Sequence, residues 1–425
     1  MGNIAVYLDS EAELGIKADP GLGRTSTGAK DKPLLVVGIT HPQTCLVLRG
    51  RLCALREAGF RVVLISSPGP LLDETAAQEG IEAVAIPMKR GISPWADVVS
   101  FVRLWRVLRR LRPEITEFST PKAGLLGSLA SLLCGVPVRI YLLRGLRLET
   151  ASGLTRRILH MAEHIAAACC RMVVCNSESL REKARMLGIG PERKLRVIGN
   201  GSSNGVDLNH FSPGPDELRA SIGIADDAPV IGFVGRLTRD KGIPELVEAF
   251  AAVNKDFPQS RLLLVGWFDD SEDALSEAQR VRIEDDPNIV CTGFVADTSA
   301  WYRAMDVMVL PTWREGFPNA ALETAASEVP VITTHATGAR DAVLPERTGL
   351  VVPAGDPEAI RSAVLGLLEN PGRRKRMGTA GRAWVKSRFA STHVHELTVR
   401  LYSSLLENPQ AQRAVAVTDA VAAGD

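Results

Sequence analysis

Short apolar runs alternate with longer helical patterns along most of the chain. In the first half the runs cover residues 34–39, 62–66, 138–142 and 172–175, with helix-like segments such as 46–58 and 156–168 between them. Runs that are apolar on both faces and separated by helices indicate parallel strands of a sheet that is covered on both sides. The sequence therefore predicts an α/β fold of the doubly wound type.

The same alternation restarts after a segment rich in Gly, Ser and Asn at residues 199–205. The second series of predicted strands covers residues 230–234, 262–265, 289–291, 307–310, 329–333 and 349–352. A chain of 425 residues is also long enough for two domains. We expect two Rossmann-like domains that face each other, with ligands in the cleft at the carboxyl ends of their strands.

The domain boundaries follow from these two series. We place an N-terminal domain at residues 33–205 and a C-terminal domain at residues 206–390. Residues 391–408 are predicted to form a helix that packs back toward the N-terminal domain. Residues 1–32 and 409–425 lack a clear hydrophobic period, and we expect both to be disordered tails.

Composition excludes several classes of protein. The 50 basic and 49 acidic residues leave a formal charge of +1, which argues against a nucleic-acid partner. The most apolar stretch, residues 123–143, contains Gly, Pro and Arg, and the acidic N-terminus does not fit a signal peptide. The seven cysteines form no CxxC pair, which is typical of a reducing compartment. We expect a soluble, cytoplasmic protein.

A pair of cations follows the first strand of the second series. Residues 233–242 end that strand at Gly235 and present Arg236 and Lys241 before the next helix. A guanidinium fork and an ammonium point charge together suit a diphosphate. On composition alone, a solvated loop with incidental charges is an equally good explanation.

Two carboxylates flank a Gly-Phe-Pro turn that follows the strand at 307–310. Glu315 lies in the loop and Glu323 on the next helix, for which Pro318 is a suitable first residue. Five helical residues rise about 7–8 Å, which is too far for a close acid/base pair. One extended ligand held at two points fits this spacing better than a surface carboxylate beside a packing one.

These motifs together resemble the retaining, nucleotide-sugar-dependent glycosyltransferases of family 4, which have the GT-B fold. The resemblance rests on Gly235-Arg236 with Lys241-Gly242 and on the Glu-x7-Glu spacing of 315 and 323. It extends through residues 293–294, 306–311, 329–332, 336–341 and 348–353. In the N-terminal half, residues 119–124 and 199–207 are similar to a bacterial capsular and exopolysaccharide subgroup.

The resemblance implies a role for each matching residue. Arg236 and Lys241 would neutralise the donor diphosphate as the sugar bond breaks, and Glu315 would grip the donor sugar as the third catalytic residue. Glu323 would hold the ribose hydroxyls of the nucleotide. The implied donor site also includes Gly235, Gly293, Phe294, Gly316, Phe317, Pro318 and Asn319.

The resemblance implies no resident cofactor, because a UDP- or GDP-linked sugar serves as co-substrate. The sequence contains no Asp-x-Asp pair, which is the usual carboxylate pair for a divalent metal on the diphosphate. We therefore expect no metal site, with the two cations in its place.

The N-terminal half departs from the family pattern in two places. Relatives often have a Gly-Gly loop where this chain has residues 38–44, and a His near the positions of Glu117, Phe118 and Ser119. The identity of a general base therefore stays open, although the acceptor hydroxyl can lose its proton to the departing phosphate. The acceptor-side candidates, which follow predicted strands, are Thr40, His41, Thr120, Lys122 and Arg144.

Residues 98–112 form a strongly amphipathic segment. At 100° per residue, Arg103, Arg106, Arg109 and Arg110 share one face, opposite an apolar one. Basic residues are concentrated in this half, because residues 101–200 carry 18 basic and 7 acidic side chains, and residues 201–300 carry 8 and 18. Two explanations stay open: a helix packed on the sheet with a solvated basic face, and peripheral attachment to an anionic membrane.

The sequence thus predicts a metal-independent hexosyltransferase that acts in surface polysaccharide biosynthesis. It would move a sugar from a nucleotide-diphosphate donor to a glycan acceptor, which we expect to be lipid-linked and presented at the inner face of the cell membrane. Two alternatives share the architecture. A UDP-sugar epimerase would need no acceptor, and a non-catalytic glycosyltransferase-like subunit would bind donor without turnover.

Overall fold

Two fully parallel β-sheets, one in each half of the chain, organise the molecule. The computed structural model describes residues 6–7, 32–89, 91 and 93–407. Each sheet carries helices on both faces, so the α/β architecture of two Rossmann-like domains is confirmed.

The N-terminal sheet has eight strands within the described residues. They are β1 (Val6–Tyr7), β2 (Leu34–Gly38), β3 (Arg61–Ser66), β4 (Glu82–Ala85), β5 (Ile115–Ser119), β6 (Val138–Leu143), β7 (Met172–Cys175) and β8 (Leu195–Val197), in spatial order β1-β4-β3-β2-β5-β6-β7-β8. The helices of this domain are α1 (Arg51–Glu57), α2 (Pro70–Glu79), α3 (Pro94–Leu111), α4 (Pro121–Leu133), α5 (Gly153–Cys169) and α6 (Glu178–Met186).

The C-terminal sheet has six strands in the order β11-β10-β9-β12-β13-β14, counted over the same described ranges. They are β9 (Val230–Val234), β10 (Arg261–Val265), β11 (Ile289–Cys291), β12 (Val307–Leu310), β13 (Val331–Thr334) and β14 (Gly349–Val352). The helices are α7 (Ile243–Asp256), α8 (Glu277–Glu284), α9 (Ser299–Arg303), α10 (Asn319–Ala326), α11 (Pro357–Leu368), α12 (Pro371–Arg388) and α13 (Ser391–Glu407).

Local sequence signals explain several helix starts. The Ser177 hydroxyl accepts a hydrogen bond from the amide of Leu180 at the start of α6, and the Asp356 carboxylate accepts one from the amide of Ala359 in α11. Ser276 begins α8 with a reciprocal capping box. These caps satisfy helix amides that would otherwise lack partners.

The chain crosses between the domains twice, and the two crossings lie side by side. The amide of Val206 donates to the carbonyl of Phe389 at 2.8 Å, and the amide of Ser391 donates to the carbonyl of Val206 at 2.9 Å. After the second crossing, α13 packs on the N-terminal domain, where Leu397, Leu401 and Tyr402 join the core formed by β2, β3 and α1. The last helix therefore ties the end of the chain to its first domain.

Some local predictions differ from the structure. The helix predicted at 46–58 is divided into a 3-10 helix (Pro42–Leu48) and α1, because Gly50 lies between them in a left-handed conformation with φ of 75°. Residues 1–32 are predicted to be a disordered tail, but Val6–Tyr7 form a short parallel strand beside β4. Lys32 is also described, and the rest of 1–32 and residues 408–425 lie outside the described residues.

The amphipathic segment at 98–112 forms most of α3. Its apolar face packs on the sheet, with Leu104 and Leu108 fully buried, and Arg106, Arg109 and Arg110 face outward. None of the described helices is long and apolar enough to cross a membrane.

Candidate active site

The strand end at Gly235 is fixed by a close approach to a neighbouring strand end. A Cβ added to Gly266, just after β10, would lie 1.8 Å from the carbonyl oxygen of Gly235. From this point Arg236 reaches across, and its Nη1 donates to Asp269 Oδ2 at 2.9 Å. Burial would raise the pKa of Asp269, but the hydrogen bond and charge of Arg236 hold it below its ordinary value. Asp269 is a site residue that the sequence motifs did not identify.

Lys241 and Glu315 form an ion pair between the two loops that the sequence motifs marked. The ammonium of Lys241 donates to Glu315 Oε1, and the two side chains are 16% and 17% exposed. The loops touch through Gly242, whose φ is 74° and whose added Cβ would lie 2.1 Å from the carbonyl oxygen of Pro311. Only glycine fits this contact, so it fixes the position of Lys241 beside Glu315.

Glu323 lies away from this ion pair, at a half-buried position of α10. Its Oε2 accepts a hydrogen bond from the Tyr302 hydroxyl at 2.7 Å, and burial raises the pKa of the Glu323 carboxyl. The two carboxylates thus have separate partners and are not paired with each other. Helix α10 begins at Asn319, one residue after the predicted start, because Pro318 has an extended backbone.

The remaining donor-side candidates divide into backbone and side-chain positions. Phe317 packs its ring 5.2 Å from that of Phe389 inside the core, so only its backbone faces a ligand. Gly293 has a φ of 70° and forms an isolated antiparallel β-bridge with Gly266. Phe294 is half-exposed and stands edge to face with Trp267 at 5.4 Å. Trp267 is an aromatic residue of this region that the sequence motifs did not identify.

Gly316 is where the C-terminal loop meets the N-terminal domain. A Cβ added to Gly316 would lie 1.9 Å from the carbonyl oxygen of Arg144, which directly follows β6. Nearby, the Ser179 hydroxyl donates to Asp341, and the amide of Gly338 donates to Ser179 Oγ at 2.7 Å. The two domains are therefore in contact on one side of the cleft.

The acceptor-side candidates have different contacts in the structure. The Thr40 and Thr120 hydroxyls share a hydrogen bond of 2.6 Å, and Thr120 has a φ of 70° before α4. His41 caps the following 3-10 helix through its Nδ1. Lys122 turns toward α3, where its ammonium lies 2.5 Å from Asp97. Arg144 donates from Nη1 to the Ser203 hydroxyl at 2.9 Å, in the crossing between the domains.

Glu117, near which relatives often have a His, forms a buried ion pair with Arg51. Arg51 Nη1 donates to Glu117 Oε1 at 3.0 Å, and the hydroxyl of Tyr402 also donates to this carboxylate. Burial would raise the pKa of Glu117, but the charge and hydrogen bonds of Arg51 outweigh burial and lower it. Glu117 is fully buried and engaged, so it is not placed to act on a substrate.

Within the residues that the structure describes, neither domain offers a carboxylate cluster for a cation. Over the described parts of the chain, no group of three or more His, Cys, Asp or Glu side chains is arranged to hold a metal ion. Arg236, Lys241 and Glu315 lie in the loops that follow strands β9 and β12. This arrangement can bind a diphosphate through two cations and a sugar hydroxyl through one carboxylate.

Comparison with known proteins gives matches in both halves. Residues 47–201 match the family described as "Glycosyl transferase 4-like domain", and residues 228–370 match "Glycosyl transferases group 1". The chain is 35% identical over 373 residues to the capsular polysaccharide biosynthesis glycosyltransferase CapM of Staphylococcus aureus, covering 88% of this chain and 97% of CapM.

Two further proteins are similar at lower identity. The UDP-Gal:alpha-D-GlcNAc-diphosphoundecaprenol alpha-1,3-galactosyltransferase of Escherichia coli is 27% identical, over 71% of this chain and 78% of its own. The crystal structure of Anabaena HepE in complex with UDP-glucose superposes with a TM-score of 0.72 at 19% identity, over 87% of this chain and all of that chain. The shared fold confirms the GT-B architecture, and the extent of the match to CapM shows that the chain belongs to the group 1 glycosyltransferases with a 4-like N-terminal domain.

Proposed function

We propose that this chain is a retaining, metal-independent hexosyltransferase of capsular or exopolysaccharide biosynthesis. Its donor is a UDP- or GDP-linked sugar, and its acceptor is a lipid-linked glycan. The observation that carries the proposal is a pair of cations in the loop after β9, where Lys241 is paired with Glu315 and Arg236 with Asp269. The CapM relative is named for capsular polysaccharide biosynthesis, and the E. coli relative for a diphosphoundecaprenol-linked sugar, which supports both substrate classes.

The geometry suits catalysis by stabilisation of the leaving group. As the bond between the anomeric carbon and the diphosphate oxygen breaks, negative charge grows on the diphosphate, and Arg236 and Lys241 stabilise it. The acceptor hydroxyl oxygen forms its bond to the anomeric carbon on the same face, and its proton passes to the departing phosphate oxygen. Glu315, which holds Lys241 before the donor arrives, accepts a hydrogen bond from a sugar hydroxyl during transfer.

Donor binding and sugar transfer test this proposal in sequence. A thermal-shift screen of UDP-, GDP- and dTDP-sugars should identify a donor that stabilises the protein. With that donor and a lipid-linked acceptor, Arg236→Ala with Lys241→Ala should lower kcat/KM at least about 100-fold. The control is Arg373→Ala with Lys375→Ala on α12, which removes two cations far from the site. Unchanged transfer by the first variant would show that the site is assigned wrongly.

Metal independence is tested separately. The proposal requires that Arg236 and Lys241 stabilise the leaving diphosphate without a metal ion. We expect transfer to continue at an unchanged rate in excess EDTA, since Arg236 and Lys241 supply the positive charge. Loss of transfer in EDTA and its recovery with Mg²⁺ or Mn²⁺ would contradict this part of the proposal.

The peripheral attachment to a membrane rests on exposed apolar side chains beside the basic face. Trp95 in α3 is 85% exposed and Leu154 in α5 is 72% exposed, and both helices pack on α4. Arg156 and Arg157 are exposed next to Leu154. Apolar side chains with neighbouring arginines are typical of a surface that inserts shallowly into anionic lipid. A lipid-linked acceptor would reach the cleft from this side.

Vesicle sedimentation tests the membrane contact. The protein should bind vesicles that contain anionic lipid, less at high salt, and Ile158→Glu should weaken binding because it puts a negative charge on the exposed face of α5. Val281→Glu in α8 is the control, since Val281 and Ile158 are both 43% exposed but lie on different domains. Equal binding of both variants, or binding that does not depend on salt, would contradict the proposed membrane contact.

A further inference from the structure

Three adjacent strands of the N-terminal sheet end in polar atoms that have no partner within the described part of the chain. Ser119 is the last residue of β5, Arg144 directly follows β6 and Asn176 directly follows β7. The strand register pairs Ser119 with Leu142 and Leu143 with Cys175, so these three residues lie side by side. Ser119 Oγ, Asn176 Oδ1, and both Nε and Nη2 of Arg144 are buried without a hydrogen bond among the described residues.

The positive charge at this edge exceeds the negative charge around it. Arg144 and Arg51 both lie near Glu117, but Arg51 and Tyr402 already bind that carboxylate. Burial and the charge of Arg51 lower the pKa of Arg144 to about 10, so the guanidinium is still charged at neutral pH. A buried charge with unfilled donors is costly unless an ion of opposite sign joins it. The charge at this edge therefore favours the binding of an anion.

The unpartnered atoms lie at the strand ends where the N-terminal sheet meets the interdomain crossing and the C-terminal domain. Arg144 is bonded on one side to Ser203 in the interdomain crossing, and its carbonyl contacts Gly316 on the other. Asn176 touches the same crossing, because its carbonyl accepts from the amide of Ser202 at 2.7 Å. Helix α4 begins directly after this edge at Pro121, and its positive end favours an anion there.

The chemistry of these groups fits phosphate oxygens. The Arg144 guanidinium presents two free donors, and Ser119 adds a hydroxyl. The Asn176 amide can add its NH₂ group when it is turned about its last bond. The C-terminal domain has its own cations for the donor diphosphate, each already matched with a carboxylate, Asp269 or Glu315. A second phosphate site on the N-terminal domain is therefore left for the other substrate.

We propose that Arg144, with Ser119 and Asn176, binds the diphosphate of the acceptor and selects acceptors that carry one. The inference rests on the proposed function, because it assigns the phosphate to a lipid-linked acceptor. Arg144 is a specificity-determining residue in this scheme. It holds the acceptor by its diphosphate at these strand ends, so that the glycan hydroxyl is directed toward the donor sugar.

The first test needs no donor. In a background of Arg236→Ala and Lys241→Ala, inorganic pyrophosphate should still raise the melting temperature in a saturable way, because the N-terminal site is intact. Adding Arg144→Met should abolish the rise. Arg144→Met should change the melting temperature without ligand only slightly, since it removes the hydrogen bond to Ser203 together with a charge that has no carboxylate partner of its own among the described residues. A pyrophosphate response that persists after Arg144→Met would overturn the proposal.

The second test compares two acceptors that have the same sugar, one on a short polyprenyl diphosphate and one on a neutral alkyl chain. Wild type should prefer the diphosphate acceptor, and Arg144→Met should raise its KM about 10- to 100-fold while leaving the alkyl acceptor and the donor KM unchanged. Arg144→Lys should recover part of the preference. The control is Arg139→Met, on the same strand but bonded to the carbonyls of Val136 and Cys169.

The outcomes separate the possible sources of the phosphate. A rise in donor KM with unchanged acceptor KM would assign the site to the donor diphosphate and overturn the proposal. A preference for the diphosphate acceptor that survives Arg144→Met would also overturn it. Failure of every donor to support transfer would contradict the proposed function instead, and the pyrophosphate measurement would still decide whether Arg144 binds an anion.

Discussion

The hydroxyl of Tyr402 donates a hydrogen bond to the carboxylate of Glu117, which lies 285 residues earlier in the chain. Tyr402 is on α13, after the chain has returned from the C-terminal domain, and Glu117 is on the central strand β5. Arg51 of α1 completes this buried group. The last helix of the described chain is thus fixed to the centre of the first domain by hydrogen bonds between Tyr402 and a buried ion pair, and not only by apolar packing.

We expect this group to be coupled to the stability of the N-terminal domain. Glu117→Gln should cost about 3–5 kcal/mol of unfolding free energy, because it leaves the buried Arg51 charge unpaired. Tyr402→Phe removes one hydrogen bond to a charged group and should cost about 1–3 kcal/mol. Equilibrium urea unfolding would measure both, with Arg400→Ala on the exposed side of α13 as the control. Losses as small as that of the control would contradict a structural role for the pair.

Glu163 should make the stability depend on pH in the opposite direction from most carboxylates. Burial raises its pKa to about 7, above the ordinary value of 4.5, although the Tyr141 hydroxyl donates to it at 2.6 Å. The folded protein thus holds the proton more tightly than the unfolded chain. The stability that Glu163 contributes is full below pH 4.5 and is lost as the pH rises through 7.

Glu163→Gln tests this dependence, because glutamine keeps the acceptor but cannot ionise. The variant should gain stability over wild type between pH 5 and pH 8, by up to about 3 kcal/mol. Thermal unfolding at both pH values would measure the gain. Glu57→Gln, at an exposed carboxylate on α1, should follow the wild-type profile. A difference between Glu163→Gln and wild type that stays constant with pH would refute the expectation.

The sequence correctly predicts the strands that are apolar along their whole length. The apolar strands at 230–234 and 307–310 lie where the pattern places them, because strands buried on both faces are apolar throughout. No apolar run marks strand β5, since Thr116, Glu117 and Ser119 are polar and yet fully buried. Composition alone does not give the bounds of a strand that carries a residue such as Glu117, whose partners Arg51 and Tyr402 lie far away in the chain.

The same distinction holds for the candidate site. Arg236, Lys241 and Glu315 could be named because each follows a predicted strand by a few residues. Asp269, which holds Arg236, also follows a strand end, so this signal could have found it. Arg51 and Tyr402 could not be found this way, because their contact depends on the return of α13 across the domain boundary.

The Tyr302 hydroxyl should control how Glu323 binds the donor. It is the only hydrogen-bond donor that the described structure shows for the Glu323 carboxylate, at 2.7 Å. Tyr302→Phe leaves this half-buried carboxylate without that partner, and we expect the donor KM to rise about 10-fold with a smaller change in kcat. Steady-state kinetics with saturating acceptor would measure the split. A fall in kcat alone would show that Glu323 does not bind the donor ground state.

The contact between Gly316 and Arg144 should limit how far the cleft can close. A methyl group at position 316 would lie 1.9 Å from the Arg144 carbonyl oxygen and 2.3 Å from its carbon, and backbone atoms cannot move aside cheaply. Gly316→Ala should therefore hold the domains apart and lower kcat about 10- to 100-fold, because closure completes the site. Gly366→Ala in α11 is the control, since its only near neighbour is a side-chain atom of Arg373 at 4.0 Å.

Small-angle scattering with and without the donor nucleotide separates this effect from a loss of folding. Wild type should become more compact on binding, by a hinge motion at residues 199–205 and at the second crossing near Phe389, where the two segments are hydrogen-bonded together. Gly316→Ala should bind the nucleotide and yet keep a larger radius of gyration, since the methyl group meets Arg144 before the domains meet. If the variant closes as wild type does while kcat falls, the glycine acts on the donor sugar directly and not on closure.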